Sequence, residues 1–88
     1  MDYDNGAIVT IPDVLINYLY DLIGADCNVL FVRLVPAELG NGLVQDIILE
    51  TRDNAETRRV FGFKPINTRL QVTRGDNAAP SLTELAAA

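Results

Sequence analysis

Only three residues between Pro12 and Gly24 are polar: Asp13, Asn17 and Asp21, spaced by four. At helical pitch they make one narrow stripe, and Val14, Leu15, Ile16, Tyr18, Leu19, Tyr20, Leu22 and Ile23 fill the rest of the circumference. A helix lying on a sheet usually needs a smaller apolar face, so this one calls for cover on two sides. Proline suits a first turn, Asp13 complements the helix dipole there, and Gly24 fits the position after the last turn. The pattern predicts one long helix over 13–23, with its stripe either solvated or an acidic docking strip.

Everything else reads as strand. Residues 7–11 form a short β-branched run before the helix. Residues 28–35 are almost continuously apolar, interrupted by Arg33, as in a central strand. Residues 43–52, 58–63 and 67–74 follow, separated by Gly40-Asn41-Gly42, by Asp53 to Glu56, and by Lys64-Pro65-Ile66. Ser81-Leu82-Thr83-Glu84 has the form of a capping box and predicts a short C-terminal helix or docked tail over 76–88. The expected fold is a single α+β domain over 1–75. It has a four- to five-stranded, mostly antiparallel sheet with the long helix on one face.

Short connections favour hairpins, and alternation then sets the register. Leu30 opposite Leu49 and Val32 opposite Ile47 put Arg33 opposite Asp46 and Phe31 opposite Ile48. Leu49 opposite Val60 puts Glu50 opposite Arg59 and Ile48 opposite Phe61. Val60 opposite Leu70 puts Arg69 beside Phe61. One face then carries Leu30, Val32, Leu34, Ile47, Leu49, Val60, Leu70 and Val72, a core for the helix to cover. The other carries Val29, Phe31, Val35, Val44, Ile48, Phe61 and Phe63 among Arg33, Arg59, Arg69, Asp46 and Glu50. Arg58 falls on the core side near an edge.

Composition removes much chemistry. The 88 residues include no histidine, one cysteine and one serine, Ser81. Histidine-based catalysis, a disulfide framework and a Cys-rich metal site are therefore excluded. No phosphate loop or RNP-like motif is present, and no catalytic residue, metal or cofactor is expected. Cys27 reads as a small buried hydrophobe. The acidic N-terminus does not resemble a signal peptide, and no apolar run approaches the roughly 20 residues of a membrane span. A cytoplasmic protein without membrane contact is expected.

The second sheet face is too apolar to be simply solvated. It would be covered by the chain's own tail and first strand, or serve as a protein interface, or offer a stacking platform to single-stranded nucleic acid. Arginine and aromatics are enriched at interface centres, which makes Phe31, Arg33, Ile48, Arg59, Phe61, Phe63 and Arg69 the interface candidates. Residues 1–50 hold eight acids and one base, whereas residues 51–75 hold six bases and two acids. A net charge of −5 repels polyphosphate at long range, so mutual neutralisation fits better than a nucleic-acid patch. With so small a core, oligomerisation would help stability. The expectation is a non-catalytic interaction module of adaptor or inhibitor-like type, self-associating as a homodimer or binding a dedicated protein partner. A small carboxylate-based enzyme with its site at a subunit boundary is the remaining alternative.

Overall fold

The computed structural model describes residues 11–38, 42–75 and 79–85. One helix, α1 (Asp13–Ala25), precedes five strands: β1 (Phe31–Pro36), β2 (Val44–Glu50), β3 (Ala55–Phe61), β4 (Thr68–Arg74) and β5 (Pro80–Glu84). All pairings are antiparallel, in one sheet of order β3-β2-β1-β4-β5. The α+β class and the antiparallel sheet agree with the sequence. The predicted strand at 7–11 lies outside the described residues except for Ile11, which is buried beside the start of α1.

The helix buries the residues that its spacing dictates. Ile11, Leu15, Leu19 and Ile23, four apart, form one cluster with Val32, Leu34, Ile47, Leu49, Leu70, Val72 and Leu82 of the sheet. Ile16, Tyr18, Tyr20 and Leu22 pack half-buried at its margins, and Val14 faces out. The Pro12 carbonyl accepts the first helical bond, from the Ile16 N–H at 3.0 Å. The helix does not stop at Gly24. It continues to Ala25, and the Asp26 carboxylate ends it by accepting the Asn28 N–H at 3.0 Å, a side-chain turn that competes with further helix. Cys27 sits in this turn and is exposed, not buried as its composition class suggested.

Within the paired strands the face assignments hold, but the registers move. Phe31 faces Glu50, Val32 faces Leu49 and Arg33 faces Ile48, two residues from the expected pairing. Between β2 and β3 the shift is four, with Val44 opposite Phe61 and Asp46 opposite Arg59. The cause is a tighter turn. The Thr51 hydroxyl donates to the Asn54 side-chain oxygen at 2.8 Å and accepts the Asn54 N–H at 3.1 Å. The Thr51 N–H bonds the Asn54 carbonyl at 2.8 Å. Only Arg52 and Asp53 remain to turn the chain. Even shifts keep the side chains of the paired strand residues on their expected faces.

Two expectations fail for non-local reasons. β4 does not pair with β3, so Val60 never meets Leu70 and Arg69 is not beside Phe61. Instead β4 crosses to the far side of β1, with Val32 opposite Leu70 and Arg33 opposite Arg69. Strands β1 to β4 thus form a Greek key. The C-terminal segment is a strand, not a helix: β5 pairs with β4, Leu82 is buried, and the Ser81 and Glu84 side chains bond Thr73 and Thr68 across the pair at 2.8 Å each. An available ladder partner satisfies this backbone better than an isolated helical turn.

The crossing is held by Gln45, which is fully buried. Its side-chain oxygen accepts the Ile66 N–H, and its amide donates to the carbonyls of Ile66 (3.0 Å) and Val35 (2.6 Å). The connection from β3 to β4 is thereby pinned across the end of the central strands, with Phe63 and Ile66 packed against the core.

Candidate interaction face

Alternation along β1 to β4 sends Phe31, Arg33, Ile48, Arg59, Phe61 and Arg69 to the sheet face opposite α1. No described helix or strand lies over that face. Phe63, expected there, does not belong to it. Gly62 has φ +90°, a left-handed conformation that breaks the alternation after Phe61 and turns Phe63 toward the core. Val29 is also in the core, because it precedes the regular part of β1, and Leu30 is half-exposed there. Phe61 stays 67% exposed.

The arginines are not equivalent. Arg59 grips Asp46 directly opposite it with two bonds, Nε to Oδ1 at 2.7 Å and a terminal nitrogen to Oδ2 at 3.1 Å. This hydrogen bonding, reinforced by the guanidinium charge and opposed by partial desolvation, holds the Asp46 carboxyl below the usual aspartate range and raises Arg59. Arg69 starts on β4, crosses β1 with its guanidinium 4.1 Å from the centre of the Phe31 ring, and ends on Glu50 of β2 at 2.8 Å. One side chain thus ties three strands together through a cation–π contact and an ion pair. The expected partners were Arg33 with Asp46 and Glu50 with Arg59. The register shift and the strand crossing reassign both acids.

Arg33 is left without a hydrogen bond or ion pair among the described residues. It lies exposed on the central strand between Ile48 and Arg69, at the rim of a shallow depression with Glu50, Asn67 and Thr68. Among the described residues, three arginines against two carboxylates leave the face one positive charge in a chain of net −5. On the opposite side of β3, beyond the reach of α1, Arg58 pairs with Glu56 at 2.7 Å, both exposed.

Gln45 was not anticipated. Its signal was present: it is polar, yet it shares the alternation of Ile47 and Leu49. The Arg69–Phe31–Glu50 contact had no local signal, because it depends on which strand lies next to β1. Among the described residues no group of acids, cysteines or histidines could hold a metal ion, and no helix is long and apolar enough to cross a membrane. No family model, no curated protein and no solved structure matches the chain.

Proposed function

We propose that the protein is a non-catalytic protein–protein interaction module that self-associates through the open face of its sheet. The carrying observation is the face itself: Phe31, Ile48 and Phe61 among arginines whose charges are largely met by Asp46 and Glu50. Internally paired charges lower the cost of bringing two such faces together, because fewer ions need new partners on desolvation. A second copy fits this near-neutral surface better than a strongly charged partner would.

The same pairing weakens the nucleic-acid reading. Arg59 and Arg69 are committed to carboxylates, which leaves Arg33, among the described residues, as the cation of the face free for phosphate. Carboxylate catalysis asks for an acid raised in pKa within a cleft, and Asp46 moves the other way.

Native mass from light scattering on a size-exclusion column tests the proposal. Wild type is expected above one 9.6 kDa chain, and Ile48→Asp and Phe61→Asp are expected to lower the mass with the circular dichroism unchanged. A wild-type monomer, or variants of unaltered mass, overturns it.

A further inference from the structure

We infer that a second copy of this chain also binds along the free edge of β3, joining the two sheets into one about a twofold axis through Thr57. This contact is separate from the face, because it uses the main chain along the edge of β3 and the Glu56 and Arg58 side chains on the other side of the sheet.

β3 is the strand that the fold leaves most open. Its outer edge pairs with no described strand, six of its seven residues are exposed, and α1 covers neither Glu56 nor Arg58. The opposite edge, β5, is shorter and begins with Pro80, which lacks a donor. β3 contains no proline, and its register with β2 runs unbroken from Ala55 to Phe61.

The phase of the ladder says which groups are free. Thr51 bonds Asn54, and Gly62 bonds Leu43. Hydrogen-bonded pairs recur every second residue, so Asn54, Glu56, Arg58, Val60 and Gly62 turn their main chain toward β2. Ala55, Thr57, Arg59 and Phe61 turn theirs outward. The hydrogen-bonded partners across an antiparallel twofold pair are drawn from these outward positions.

Among the alignments that overlap most of β3, charge then selects one. With Thr57 on the axis, Thr57 meets its own copy and Ala55 meets Arg59 in hydrogen-bonded pairs. Glu56 and Arg58 meet each other twice in the closer, non-hydrogen-bonded pairs. Moving the axis to Glu56 sets glutamate against glutamate, and moving it to Arg58 or Arg59 sets arginine against arginine. The charges that would repel an arbitrary strand thus specify a register with a second copy.

Charge reversal and a proline test this by mass. Glu56→Arg and Arg58→Glu each put like charges across the seam and are expected to lose the contact, whereas the double reversal E56R/R58E restores it. Thr57→Pro deletes the donor on the axis, at a position whose N–H bonds no described residue. The arms separate edge from face. In Ile48→Asp, with the face contact removed, the mass is expected at two chains, and adding Thr57→Pro is expected to bring it to one. One chain in Ile48→Asp alone, two chains in Ile48→Asp combined with Thr57→Pro, or no rescue in the double reversal overturns the edge contact. An Ile48→Asp mass equal to wild type, lost on Thr57→Pro, keeps the edge and discards the face.

Discussion

Gln45 engages both main-chain polar groups of Ile66, accepting its N–H and donating to its carbonyl, as a neighbouring strand would. The bonds join residues 21 apart and fix the connection from β3 to β4, which crosses the sheet. The side chain is fully buried, so its loss removes the partner of both Ile66 groups in a part-buried site. Gln45→Leu is expected to cost roughly 2–4 kcal/mol. The check is urea unfolding, together with faster amide exchange at Ile66 than at Leu34.

The helix holds the molecule together through its buried row. Leu19 is completely inaccessible at the middle of that row. Leu19→Ala should remove about 2–5 kcal/mol, a large part of the total for a domain of this size. Calorimetry should show a lowered Tm. Val14→Ala, on the exposed face of the same helix, should leave Tm nearly unchanged.

Two glycines should respond in opposite directions. An added Cβ would meet nothing within 4 Å at either Gly24 or Gly62. Gly62 has φ +90°, and Gly62→Ala should destabilise by roughly 1–2 kcal/mol through backbone strain alone. Gly24 lies inside α1, and Gly24→Ala should stabilise by about 0.5–1 kcal/mol. Chemical denaturation of the two variants beside wild type reads both signs.

Acid should release the Asp46–Arg59 pair late. The folded carboxyl titrates below its unfolded value, so its contribution is complete above the ordinary aspartate range and lost as pH falls through the lower folded value. A carboxyl-carbon NMR titration should find the Asp46 midpoint below the ordinary range. Arg59→Ala should return it upward. An unchanged midpoint in that variant would remove Arg59 as the cause.

Much of the local order was legible before the fold. The alternation of Val32 and Leu34, Ile47 and Leu49, and Leu70 and Val72 named the core face. It also named the opposite face with Phe31, Arg33, Ile48, Arg59, Phe61 and Arg69. Phe63 was misplaced because the conformation of Gly62 cannot be read from a period of two.

What the sequence determined by itself is periodic and short-ranged: the phase of α1, the inward and outward sides of each strand, and the absence of histidine chemistry. These follow from the geometry of a single element and need no partner. Which strands meet was decided only in three dimensions. β4 lies beside β1, with Gln45 holding Ile66 in the connection that leads there. Arg69 reaches Glu50 because β4 lies there. Residues 80–84 extend because β4 then offers them an edge. Backbone groups accept any ladder in phase, so the choice of partner rests on long-range contacts that no window of sequence contains.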